Sequence, residues 1–162
     1  MSGTAPKGAI VALAPAGADA PMPEGPAVMD QYAKQFVPGM LYVRVGQPVE
    51  FRNTEDIGHN VTVNRRDTGA AVFDIETDPQ EKHVHTFDRV GQYDVNCSMH
   101  PGMQATLVAT RSALATTSGD DGRFTIANVP AGAYTLSVTF AGRTVDRAVD
   151  VKGPRTEVRV TP

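Results

Sequence analysis

The chain has 162 residues, 41% of them hydrophobic, and a formal net charge of -3, which suits one ordinary domain, alone or with a small appendage. That balance leaves no basic footprint for nucleic acid, and no apolar run approaches the roughly 18 residues of a membrane span. Aromatic content of 6%, with 15 Gly and 12 Pro, favours a turn-rich fold over long helices.

Lys7 and the apolar run Ala9 to Ala14, followed by Ala18-Asp19-Ala20, imitate a secretory signal. Pro15 cuts the run short of the roughly 7–15 residues of a signal core. It is therefore read as a first strand, Ala9–Leu13, with any export signal removed or upstream. Ala14–Pro26 reads as a surface loop. Val28–Phe36, with apolar residues at 28, 29, 32 and 36, fits either one or two helical turns or an extended edge segment. Alternation of period 2 then marks strands at Met40–Val45, Val49–Arg52, Asn60–Asn64, Lys82–Phe87, Gln92–Asn96 and Met103–Ala109. Beyond Arg111 histidine, methionine and cysteine vanish. Simpler strands follow at Arg123–Ile126, Tyr134–Phe140, Val145–Val151 and Thr156–Val160, joined by Gly- and Pro-bearing turns. Roughly 50 residues make a marginal core, so this tail is expected to pack on the first domain or to borrow a strand such as Ser112–Thr117.

The single cysteine excludes an internal disulfide. Cys97 ends the inward row Tyr93, Val95, Cys97, and a Pro101-Gly102 turn leads through His100 to Met103. Such a loop aims a thiolate, an imidazole and a thioether at one point. A second imidazole is offered by His59, at the start of a strand. Two imidazoles, a thiolate and a weak thioether are the donor set of a mononuclear blue-copper site.

The pattern Phe36-x-Pro38, Leu41-x-Val43-x-x-Gly46-x-x-Val49-x-Phe51-x-Asn53, Gly58-His59-Asn60-Val61, Phe87, Gly91-x-Tyr93-x-Val95-x-Cys97-x-x-His100-x-x-Met103 resembles the plastocyanin-like cupredoxins. The spacing of its last three ligand positions is similar to that of amicyanin. The resemblance implies an all-β, Greek-key cupredoxin β-sandwich over residues 1–110. It also implies one type 1 copper per chain, held by His59, Cys97, His100 and Met103. Asn60 and Ser98 stand where the family brackets the cysteine ligand, Ser98 as a hydroxyl partner for Asn60. Residues 111–162 resemble the carboxypeptidase regulatory-like, transthyretin-type β modules, through Asp121-Gly122-x-Phe124-x-Ile126 and Val129-Pro130-Ala131-Gly132-x-Tyr134-x-Leu136.

Other candidates are weighed beside these. Met99 is expected to pack at the surface beside the site. His83 and His85 share a face with Phe87, and His85 stands where the family commonly carries an aliphatic residue. The pair reads as one hydrogen-bonded, partly buried histidine plus an exposed one, as a second metal site, or as a modifier of the copper centre. Glu55 and Asp56 read as a solvated loop, as a carboxylate replacing Met103, or as a docking patch. Ser118 to Phe124 reads as a turn, since the remaining acidic positions of a calcium loop are missing. The function implied is a periplasmic or otherwise extracytoplasmic electron carrier rather than an enzyme. Its redox partners, a cytochrome or a periplasmic dehydrogenase or oxidase, are expected to dock near His100. The alternatives are copper storage or delivery, and a structural module.

Overall fold

Short alternating segments bury one face each, and the two-residue period decides which side chains meet. The computed structural model describes residues 1–153 and 156–159, and every regular element among them is a strand.

Residues 23–109 form one unit. Its first sheet contains β3 (Ala27–Tyr32), β4 (Gln35–Val37), β6 (Pro48–Asn53) and β9 (Lys82–Thr86), in the order β4-β3-β6-β9. Its second contains β5 (Met40–Arg44), β7 (His59–Arg65), β8 (Ala71–Thr77), β10 (Gly91–Asn96) and β11 (Gln104–Thr110), in the order β5-β11-β10-β7-β8. Successive strands cross between the sheets as a Greek-key sandwich does. In β10, Gly91, Tyr93 and Val95 are buried while Gln92, Asp94 and Asn96 are half-buried, the pattern that points Cys97 inward. Phe51 of β6 meets Phe73 of β8 edge-on at 5.5 Å, tying the sheets together. Phe51 is fully buried, which stabilises the fold by about 1.5–3 kcal/mol over leaving it exposed.

Val28–Phe36 is extended, not helical. β3 runs parallel to β6, with Met29 opposite Phe51, and turns into β4 through Ala33 and Lys34, both at positive φ. Of these two strands β4 lies at an edge of the sheet and β3 does not. β8 is a strand that the sequence reading passes over, although Phe73, Ile75 and Thr77 alternate there with Asp74 and Glu76.

Residues 1–22 and 110–162 form the other unit. One sheet orders β12 (Ala115–Thr117), β2 (Ile10–Pro15), β14 (Gly132–Phe140) and β15 (Arg143–Val151) as β12-β2-β14-β15. The other places β1 (Ser2–Thr4) between β13 (Arg123–Thr125) and β16 (Glu157–Arg159). Val160, the expected end of the last strand, lies outside the described residues. A β-carbon at Gly3 would sit 2.0 Å from the Val158 carbonyl oxygen, so the close approach of these strands requires glycine.

This corrects the expected boundary between the domains. The segment Ala9–Leu13 does not open the copper-site sandwich. It pairs with β14, Leu13 opposite Leu136 and Val11 opposite Val138, and with β12 on its other side. The physical reason is its composition: Ile10, Val11, Ala12 and Leu13 are all buried, as only a strand between two neighbours and covered on both faces can be. The tail completes its small core with N-terminal strands, and Ala115–Thr117 joins it, within the segment expected to be borrowed.

Candidate metal centre

Three elements of the 23–109 unit converge on one point. β10 delivers Cys97, which is 6% exposed. The loop after it closes on itself: the Cys97 amide donates to the Met103 carbonyl at 3.1 Å, and the Met103 amide to the His100 carbonyl at 3.2 Å. Gly102 takes φ +90 within this turn, a conformation that favours glycine. His59 opens β7 and is 1% exposed.

The Cys97 Sγ lies 3.6 Å from His100 Nδ1 and 4.0 Å from His59 Nδ1. The ligand atoms of His59, Cys97 and His100 all fall within 4.8 Å of one another. Bonds of about 2.3 Å to sulfur and about 2.0 Å to imidazole nitrogen, as in zinc sites, space S and N about 3.7 Å apart in a trigonal set. The two observed separations bracket that value, so the donor set fits a single ion. Two imidazoles with one thiolate select copper among the common metals.

The groups behind the donors set their orientation. The Glu55 carboxylate accepts the Nε2–H of His59 at 2.9 Å, the bond that in a neutral imidazole makes Nδ1 the lone-pair nitrogen, and Nδ1 is turned to Cys97. Glu55 itself accepts the Lys34 amide at 2.7 Å and donates its own amide to Asn53 Oδ1 at 3.0 Å. The Lys34 bond, then the bond from His59, hold its carboxyl below the usual glutamate range against the opposing effect of burial. Asn53 is fully buried and its Nδ2 donates to the carbonyls of Ile57 and Thr77, at 2.8 and 2.9 Å. Thr77 is the register partner of His59. Asn53 thus fastens both ends of the loop that carries Glu55.

Asn60 Oδ1 accepts the Ser98 backbone N–H at 2.6 Å, and its Nδ2 donates to Thr62 Oγ1 and Asp74 Oδ1 at 3.0 and 2.8 Å. The strand of His59 is thereby tied to the residue after Cys97. The expected Asn60–Ser98 link is present, but it runs through the amide and not the hydroxyl. Met103 is 2% exposed and packs in the core with Cys97. Met99 is 51% exposed, and His100 is half-buried. His83 and His85 stand outside this cluster, on β9. Glu55 is neither a solvated loop residue nor a substitute for Met103. Its spacing of four residues before His59 is the signal by which sequence reasoning reaches it. Asp56 is exposed, as a loop residue. Arg123 donates its amide to Asp121 Oδ1 at 2.9 Å, so the Asp-rich segment is the turn expected of it.

A β-sandwich that buries one thiolate beside two imidazoles defines a mononuclear copper-binding protein. Residues 25–110 match the copper binding proteins of the plastocyanin/azurin family, and the chain belongs to that family. Plastocyanin from Rumex obtusifolius is 29% identical over 82 residues, covering 45% of this chain and 83% of that protein. Among solved structures, a reduced amicyanin variant is 28% identical with a TM-score of 0.48, covering 55% of this chain and 86% of that one. The reduced Cu(I) form of another amicyanin variant, at pH 4, is 29% identical with a TM-score of 0.49 over the same shares.

Proposed function

We propose that the protein carries single electrons between redox partners in the periplasm or another extracytoplasmic space, with His59, Cys97, His100 and Met103 as its metal ligands. Copper, when bound, supplies the Cu(I)/Cu(II) couple. The observation that carries the reading is the Cys97 sulfur standing 3.6 and 4.0 Å from two Nδ1 atoms. Hydrogen bonds already hold those donors in place. Glu55 holds His59, and the paired amides of the loop hold Cys97 beside Met103. Donors held this way have little to rearrange when the charge at the site changes, which is what a carrier needs. Cys97 gives the strong covalent coupling to the metal, and Met103 contributes a weak axial sulfur.

Partner docking falls at His100. It is the half-exposed member of the set, next to the exposed Met99 and Pro101, where contact with a cytochrome, dehydrogenase or oxidase is small and transient. The role is transfer rather than catalysis. The unit built from residues 1–22 and 110–162 serves as a structural β module of the carboxypeptidase regulatory-like kind.

An absorption spectrum of the copper-loaded protein with a metal count tests the reading. One copper per chain with an intense thiolate-to-copper band, reversibly bleached on reduction, supports it. Stoichiometric Cu(I) binding without that band in the oxidised protein favours storage or delivery and ends the carrier reading.

A further inference from the structure

The first sheet of the 23–109 unit ends at β9, and the inward face of that edge carries imidazoles. In the β6–β9 register, His83 stands opposite Phe51 and His85 opposite Val49, and both partners are fully buried. Directly opposite residues share a face of the sheet, so both histidines face the interior at the open margin of the sandwich. Phe73 comes from β8, the edge strand of the other sheet. Its ring lies 5.1 Å from that of His83 and 4.8 Å from that of His85. The two imidazoles are 6.5 Å apart with planes 19° from parallel. Both remain half-exposed, and no hydrogen bond joins their ring nitrogens to any described residue.

We propose that His83 and His85 form a second metal site, separate from His59, Cys97 and His100, that takes one first-row divalent ion of the imidazole-binding kind, such as Ni(II), Zn(II) or Cu(II). Imidazole nitrogens held against aromatic rings have lost part of their hydration and gained no protein partner. A metal ion restores one bond to each. Residues two apart on a strand lie on one face, and rotation of the side chains brings one nitrogen from each ring to a shared ion. Burial, and then His83, lower the His85 pKa from its ordinary value, against a smaller opposing effect of Asp88. The shift favours the neutral ring that a metal ion requires. The inward neighbours Val49, Phe51 and Phe73 add no oxygen donor. Water fills the remaining positions, and hard ions such as Ca²⁺ and Mg²⁺, which require oxygen ligands, are disfavoured.

The test titrates Ni(II) by calorimetry into protein already loaded with copper, so that the cysteine site is filled. One further ion per chain is expected, with the thiolate absorption unchanged and the binding lost in both His83→Leu and His85→Leu. Absence of saturable Ni(II) binding, binding that survives both substitutions, or displacement of the copper overturns the proposal. Should a variant fail to fold, the unsubstituted protein decides. Zn(II) added to its Cu(I) form should shift the His83 and His85 ring signals in NMR spectra, and unmoved signals sink the site.

Discussion

Glu55 and His59 share a hydrogen bond of 2.9 Å on the side of the imidazole away from Cys97, so a carboxylate that touches no metal donor atom decides which nitrogen of His59 faces the sulfur. Removing it in Glu55→Ala should lower copper affinity by about 10–100-fold while the fold survives. Glu55→Gln keeps an acceptor oxygen and should recover part of the loss. Competition titrations against a copper chelator read both variants. Equal affinity in Glu55→Ala and the native protein would mean that the bond has no part in holding the site.

Cys97→Ser removes the only cysteine sulfur in the chain. The intense visible band should disappear and most of the affinity with it, since the remaining donors are imidazoles and a thioether. Absorption and metal analysis check this. A Cys97→Ser protein that still turned blue with one copper would overturn the assignment of Cys97 as a metal ligand.

Under the proposed ligand set, Met103→Leu should leave copper bound, because an axial thioether is the weakest donor of such a site, and should raise the reduction potential by removing a ligand that favours Cu(II). Voltammetry measures the sign. The side chain is 2% exposed, and the near-isosteric exchange should cost less than about 1.5 kcal/mol of stability.

Asn60→Ala leaves the Ser98 amide without its acceptor and the Asp74 carboxylate short of a donor. Ser98 and Asp74 are exposed residues, so water replaces part of the lost bonding and the cost stays near the ~0.5–1.5 kcal/mol of an ordinary hydrogen bond. The expected result is a lower denaturation midpoint in the metal-free protein together with faster copper release. An unchanged midpoint would show that the Asn60 bridge carries no stability.

Glu50 accepts hydrogen bonds from Arg52 at 2.7 and 2.9 Å and from Lys82 at 3.2 Å. These bonds, Arg52 first, hold its pKa below the ordinary glutamate value although burial opposes them. A depressed carboxylate pKa contributes stability that is complete above the unfolded-state value, about 4.3. That contribution fades as the pH falls through the lower folded-state value. The stability advantage of the native protein over Glu50→Gln should therefore be constant near neutrality and shrink below about pH 4. Denaturant midpoints at a series of pH values follow it. An advantage that grew on acidification would reverse the sign of the argument.

The two-residue alternation of Tyr93, Val95 and Cys97, and the turn from His100 to Met103, are local properties. Each depends on neighbours in sequence, so the strand, the loop and the candidate donors could be read without coordinates. So could the other strands of the copper-binding sandwich, except β8 and the pair β3 and β4. β8 alternates but carries Asp74 and Glu76 on its outer face, and β3 and β4 are joined by a turn with no glycine.

What lay beyond local pattern was partnership. Ala9–Leu13 has the apolar content of any buried strand, and nothing within it states that its neighbours are Ala115–Thr117 and Gly132–Phe140 rather than the strands that follow it directly. Strand pairing is settled by which surfaces are left uncovered once the whole chain has collapsed. The link from Glu55 to the outer nitrogen of His59, and the imidazole pair against Phe73, have the same origin. A hydrogen bond or a ring contact between distant residues is a statement about distance in space, and only the folded chain supplies that distance.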